Sequence, residues 1–497
     1  MIPKFIKYHQ VPLLLLLSAA AFYSSFGYDL VRTDFTKLIT LYAGLLFVSF
    51  KLIQLEKHNF KFLLISAVLL RLIFLFALPN LSQDFYRFIW DGRLLTSGFN
   101  PYLNLPASFG GNIPQASELI KGMGALSAGN FTNYPPVNQL VFALTALLTG
   151  KNILGSVIVL RLVIIAADLG TLYFGGKLLK KLDLPSHRIF WYILNPFIII
   201  ELTGNLHFEG VMIFFLVWAI CLLHEKKWIG SAILLGISIS AKLLPLMLLP
   251  LFLQYFRKPS FDKLRMTKFD KLRMTASKEP PDLSRGGSNR LGSITRKEIN
   301  LQKLLLYYLL VGITVLVSFL PFFSSEFFSN FFQSMGLWFQ KFEFNASIYY
   351  IIRWIGFQTT GYNIIGIAGK ILPVITVILL AGLAVFRRND STGKLIASML
   401  LGISAYFFLS TTVHPWYIAT PLILSIFTKY RFALVWSFAV FFSYYAYANA
   451  GFQENLWLIA LEYLLVLGVF FLEISGKIES KDPAKAFDFS RISGSNK

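Results

Sequence analysis

Apolar runs recur along the chain near 11–27, 35–52, 60–79, 153–176, 188–203, 208–223, 229–256, 304–322, 363–386, 395–411, 416–428, 432–448 and 455–473. A helix of about 20 such residues crosses a bilayer, and fewer suffice where neighbouring protein shields the backbone. The pattern therefore predicts an all-α fold, a polytopic membrane helix bundle. The first run does not read as a removable signal. Its flank Tyr23-Ser-Ser-Phe-Gly offers no small-x-small cleavage site, and another span follows at once.

Lys and Arg set the orientation. With the N-terminus inside and the spans alternating, the inner segments are 1–10, 51–61, 175–188, 224–228, 257–303, 387–394, 429–431 and 474–497. They hold 34 of the 46 basic residues, a strong bias. Two places need care. The run 136–149 must not cross, or Lys177, Lys180 and Lys181 would face outside, so it reads as an interfacial or re-entrant helix behind Pro135-Pro136. The run 229–256 must cross twice, with Lys242 and Pro245 offering the break. The expectation is about 14 spans with both termini cytoplasmic, and interfacial helices in the large outer loops.

The chain divides accordingly. Residues 1–256 form an N-terminal membrane half with an outer loop at 80–152, and 304–476 a C-terminal half with an outer loop at 323–362. Residues 477–497 are a cytoplasmic tail. Between the halves, 257–303 carries a tandem repeat, FDKLRMTK at 261–268 and FDKLRMTA at 269–276, then Pro/Ser/Gly-rich sequence. Its 13 basic and 5 acidic residues and low apolar content mark a disordered basic loop. We read it as an inserted linker without a catalytic part; a basic arm on anionic lipid is the alternative.

Composition narrows the class. Only 14% of the 497 residues are charged, against about 25% in soluble domains, which excludes an ordinary soluble enzyme. Fifty Phe, 22 Tyr and 9 Trp suit a chain with rings at membrane interfaces. The single Cys221 rules out a disulfide framework, haem attachment or a thiolate zinc cluster. The +21 net charge would suit nucleic acid, but its sorting into inner loops argues against such a partner.

Candidate chemistry gathers on the outer side. The loop after the third span begins SQDFYRFIWDGRLLTSGFNPY. As a helix, 83–95 places Asp84, Arg87 and Asp91 on one face and Tyr86, Trp90 and Arg93 on another. We expect it to lie in the interface, polar face to water and aromatics to lipid. Two carboxylates beside an Arg suggest a general base next to a phosphate-binding cation. Asn205-Leu-His207-Phe-Glu209-Gly opens one outer span end and Thr411-Thr-Val-His414-Pro-Trp-Tyr417 another. Arg161, Lys242 and Arg353 are cations at or near membrane depth, where charge is costly and has a purpose or a partner.

Together these stretches resemble the GT-C glycosyltransferases, and within them the polyprenyl-phosphate mannosyltransferase-like glycosyltransferase family 87. The matching pieces are DFYRFIWDGRLLTSGFNPY at 84–102, NYPPVNQLVFAL at 133–144, NPFIIIELTGNLHFEG at 195–210, AKLLPLMLLPLF at 241–252, FNASIYYIIRW at 344–354 and HPWY at 414–417. The resemblance covers nearly the whole chain except 257–303. It implies a hexosyltransferase of the cell membrane, favouring mannose and a bacterial inner membrane. Its donor would be a polyprenyl-phosphate sugar, its acceptor a lipid-linked or glycan molecule, and it would need no cofactor or metal. It gives Asp84 the role of base. It places Arg87, Asp91, Arg93, Tyr134, His207, Glu209, Lys242, Asn345, Tyr349, Arg353 and His414 among the substrate contacts. The family pattern His-Asn-Asp-Gly reads His-Phe-Glu-Gly here, so Glu209 stands where the acid is expected. A lipid or polysaccharide transporter shares the hydropathy, but the sequence shows no repeated halves.

Overall fold

A computed structural model describes residues 9–256, 300–340, 342–449 and 451–476 of the chain. The repeat at 261–276 and the tail 477–497 fall outside these residues. The described chain is helical, with one isolated bridge between Phe344 and Thr412. Seven of its helices are long and apolar enough to cross a membrane, and an eighth span results if one bent pair counts as a single crossing. The other apolar runs form shorter helices such as Pro136–Thr149, Trp228–Ala241, Leu244–Gln254, Pro415–Ile426 and Phe432–Ala448. Fourteen full-length spans are therefore not present among the described residues. Pro, Gly and polar side chains interrupt several runs that hydropathy alone treats as continuous.

Two of these runs are short or broken where the sequence suggested an interruption. Pro136–Thr149 has 14 residues, about 21 Å at 1.5 Å per residue, shorter than the hydrocarbon core. The run 229–256 breaks at Lys242, whose extended backbone (φ −150°, ψ 136°) ends the helix Trp228–Ala241 before the tight 3₁₀ helix Leu244–Gln254 begins. Pro245 cannot donate to the preceding turn. The carbonyl of Ala241 at the break is taken up by the Asn138 amide at 2.8 Å, which ties the break to Pro136–Thr149.

The bent pair shows a second break. Residues Ile199–Gly204 form a π-helical turn, Leu206 adopts a left-handed φ of 63°, and the chain restarts as Glu209–His224 at 116° to Pro196–Gly204. Arg161 satisfies the carbonyls this distortion frees. It donates to Thr203 (2.8 Å), Gly204 (2.9 Å) and Leu75 (3.0 Å). A buried cation that caps backbone acceptors is a structural pin, and Arg161 has that role. Arg71 and Asp168 form a comparable buried pair at 2.8 Å.

Segments placed on one side by charge meet each other. Glu225 binds Lys177, Lys181 and Lys227 at 2.8, 3.3 and 3.1 Å, and the Arg188 guanidinium donates to the Thr428 carbonyl. At the other end Asn205 accepts from Leu81, and Phe344 pairs with Thr411 and Val413.

Candidate active site

The helix Asp84–Thr96 does not lie with one face in water. Arg87, Trp90, Asp91 and Arg93 are all buried, and Ala116–Ala128 and Pro136–Thr149 pack against it. Gly92 permits the second contact, since a Cβ there would overlap the Phe142 carbonyl. Its polar face is buried because its charges neutralise one another. Arg87 Nε donates to Asp91 at 2.8 Å and its Nη1 to the carbonyls of Ser127 and Asn130. Thr132 and Gln139 donate to the other Asp91 oxygen at 2.6 and 3.0 Å. Arg93 donates to the Pro114 carbonyl at 2.6 Å. These three candidate contacts hold the loop together.

Asp84 differs from them. It opens the helix, where the aligned peptide dipoles favour a carboxylate, and it is half-buried. The Tyr134 hydroxyl lies within reach of its charge. Burial holds that phenol well above its ordinary pKa, and the charges of Asp84 and Glu209 push the same way. Tyr134 therefore stays protonated. The Lys242 ammonium lies 5.1 Å from the centre of the Tyr134 ring.

Tyr134 and Lys242 line a cavity of about 400 Å³. Glu209, Ser410, Thr412 and Tyr417 complete its polar wall, and Leu243, Met247, Met335 and Phe407 belong to its apolar wall. Glu209 enters as the first residue after the 116° bend, and its Oε1 is 3.1 Å from the Lys242 ammonium. Its Oε2 is buried with no hydrogen-bond partner among the described residues. Glu209 lines this cavity; Asp84 does not, but its charge, like that of Glu209, reaches the Tyr417 hydroxyl.

Two imidazoles stand beside this cavity on either face of Trp416, with ring centres at 3.8 Å for His207 and 4.6 Å for His414. His207 Nδ1 is 2.9 Å from the Glu201 carbonyl, which only a protonated Nδ1 can use. His414 is pushed down to a pKa of about 3 by burial and by the charges of His207, Lys242 and Arg32. It is a neutral group at physiological pH.

Asn345, Tyr349 and Arg353 are engaged elsewhere. Arg353 pairs with Glu343, and Tyr349 donates to Glu343 at 2.6 Å. Asn345 takes a left-handed φ of 48° and binds Glu454, Glu462 and Tyr463. None of the three lines the cavity. Their segment reaches the site through Phe342 and Phe344: Phe344 pairs with Thr411 and Val413 through its backbone, and its ring lies 5.3 Å from that of His414. Among the described residues no group of three or more His, Cys, Asp or Glu is placed to hold a metal ion.

Sequence reading missed Arg32 and Tyr447. The Arg32 guanidinium sits 3.3 Å above the Tyr447 ring, its Nε has no hydrogen-bond partner among the described residues, and Tyr447 senses both Arg32 and Asp84. A lone Arg in the short connection 29–34 carries no pattern that would single it out. Trp416 and Tyr417 were visible in HPWY, where only the His drew attention.

Residues 21–256 match the family described as alpha-(1->6)-mannopyranosyltransferase, N-terminal domain. This stretch contains Asp84, Tyr134, His207, Glu209 and Lys242. Alpha-(1->6)-mannopyranosyltransferase A of Mycobacterium tuberculosis is 24% identical over 169 residues, covering 34% of this chain and 32% of the relative. The protein of that name from Corynebacterium glutamicum is 22% identical over 211 residues, 42% of this chain and 41% of the relative. Alpha-(1->6)-mannopyranosyltransferase B of C. glutamicum is 26% identical over 142 residues, 28% of this chain and 23% of the relative. The chain thus spans about a third to two-fifths of the length of the first two. Over residues 21–256, just under half of its length, the chain is similar to this mannopyranosyltransferase family, as its sequence motifs lead one to expect.

Proposed function

We propose that the protein is a membrane glycosyltransferase that moves a hexose, with mannose favoured, from a polyprenyl-phosphate sugar to a lipid-linked or glycan acceptor on the outer face. The observation that carries this reading is a cavity lined by Tyr134 and the Glu209–Lys242 pair, with the Asp84 charge felt at the Tyr134 hydroxyl. A carboxylate, a cation and an apolar wall in one space match the needs of a lipid-phosphate leaving group and a hydroxyl nucleophile.

The reaction is a single displacement. Asp84 takes the acceptor hydroxyl proton as the oxygen attacks the anomeric carbon, and the bond to phosphate breaks with inversion. Negative charge grows on the departing phosphate, and preorganised cations stabilise it. Lys242 is the cation at the cavity, but Glu209 already neutralises part of its charge. Arg32, whose charge reaches His414 and Tyr447, adds positive potential to this neighbourhood, whereas Arg87 is spent on Asp91. His207 and His414 stack on Trp416 and, through the neighbouring Tyr417, back one side of the cavity.

The test is direct. Purified protein incubated with polyprenyl-phosphate mannose and an acceptor extract should release polyprenyl phosphate. No release with mannose, glucose or galactose donors would sink the reading.

A further inference from the structure

A second cavity, of about 1050 Å³, lies at the other end of the bundle. The helix Thr392–Leu409 runs between the two: Tyr406 and Phe407 line the first, Gly393 and Ala397 the second. At 1.5 Å per residue they are separated by roughly 15–20 Å along that helix. Segments 182–188, 387–397 and 427–430 and the side chain of Glu473 build its wall.

The wall carries four cations, Arg188, Arg387, Lys394 and Lys429, and two carboxylates, Asp183 and Glu473. Glu473 is already occupied, accepting the backbone N–H groups of Arg431 at 2.8 and 2.9 Å and of Phe432 at 3.1 Å. Lys394 is paired with Asp390 at 2.8 Å. Arg188 is buried and donates to the Thr428 carbonyl at 2.7 Å, which fixes the wall. Arg387 and Lys429 have no carboxylate partner among the described residues, and Lys429 is exposed. Below these charges the surface turns apolar at Leu182, Leu184 and Phe427.

We propose that this cavity binds a phosphate-bearing anion, with Arg387 and Lys429 as its principal donors. An Arg fork and an ammonium on the wall of one cavity suit phosphate oxygens. Basic pockets between membrane helices take lipid headgroups in this way, the apolar wall receiving the first carbons of the chains. A soluble phosphate uses the same donors without that wall. The site is independent of the transferase chemistry at Asp84.

The test uses the full-length protein in detergent and native mass spectrometry, with phosphatidylglycerol and inorganic pyrophosphate as separate probes. Wild type is compared with Arg387→Gln/Lys429→Gln. At least one probe should bind, and the double variant should bind it about tenfold less, two charge-assisted contacts being lost. Retention of phosphatidylglycerol identifies a lipid headgroup, and retention of pyrophosphate alone a soluble phosphate. If the double variant does not fold, Lys429→Gln alone is expected to weaken binding about threefold. Binding of neither probe, or equal binding to wild type and to the folded variant, overturns the proposal.

Discussion

Lys242 and Glu209 meet at 3.1 Å because each stands at a helix break, one after Trp228–Ala241 and the other at the start of Glu209–His224. Glu209 is nearly inaccessible, whereas the Lys242 side chain is 24% exposed toward the cavity. Removing the cation strands a buried carboxylate. Lys242→Met is expected to cost about 1–3 kcal/mol of stability, below the figure for a fully buried pair because water reaches one partner. It should also lower kcat at least about tenfold, since a cation is lost where phosphate charge grows. Lys242→Arg should restore most of the stability and part of the turnover. Steady-state kinetics with a polyprenyl-phosphate sugar, beside thermal unfolding, separates the two effects.

Asp84→Asn preserves shape but cannot accept a proton at neutral pH. Turnover should fall by about two or more orders of magnitude with unfolding unchanged. Near-normal turnover would remove Asp84 from the role of base.

The neighbouring charges should behave in the opposite way. Arg87 and Asp91 have side-chain exposures of 4% and 0% and satisfy one another and the surrounding backbone. Arg87→Met leaves Asp91 charged and buried, at a cost of about 3–5 kcal/mol. The fraction that folds should keep kcat/KM within a few-fold. A large catalytic loss in well-folded Arg87→Met protein would return Arg87 to the substrate.

The contrast between Asp84 and Arg87 shows what the sequence could convey. Helical spacing correctly placed Asp84, Arg87 and Asp91 on one face. Spacing cannot tell a polar face meeting water from one meeting Thr132, Gln139 and two backbone carbonyls, because those partners lie about 40 residues away. The break at Lys242 was legible, since a charge followed by Pro inside an apolar run is a local signal. The 116° bend before Glu209 was not, because it depends on Arg161 reaching across from another helix. Arg353 was misleading for the same reason: its partner Glu343 belongs to the preceding loop, and proximity to an outer loop says nothing about which cavity a side chain enters.

His414 makes stability depend on acid. Its folded pKa is about 3, against about 6.5 when unfolded. Between these values the unfolded chain binds a proton that the native chain does not, so stability rises with pH through this window and is lost as pH falls from about 6.5 toward 3. The cause is burial beside His207, Lys242 and Arg32, which all disfavour an imidazolium. His414→Gln should therefore flatten the fall in unfolding temperature between pH 6.5 and 4.5, while other acid-sensitive groups keep their share. An identical pH profile in both proteins would show that His414 is not held neutral.

The repeat-bearing segment should be removable, and the reason is geometric. The Asn300 N–H donates to the Phe256 carbonyl at 2.7 Å, so the chain leaves and re-enters the bundle at adjacent points. Asn300 also caps Leu301–Phe319 through its side chain. Whatever 257–299 does, the ends are held by contacts outside it. A shorter connection closes the same gap, and loop-closure entropy changes only by about 0.6 kcal/mol per halving of length. Replacing 259–296 by a short Gly/Ser linker should leave membrane insertion, unfolding temperature and transferase turnover within about twofold of the parent. The replacement leaves Phe256 and Asn300 untouched, so a loss of activity cannot be assigned to a broken cap. An inserted, stable but inactive product would show that residues of the segment take part in the reaction. A misassembled one would show that the segment guides the pairing of the two membrane halves.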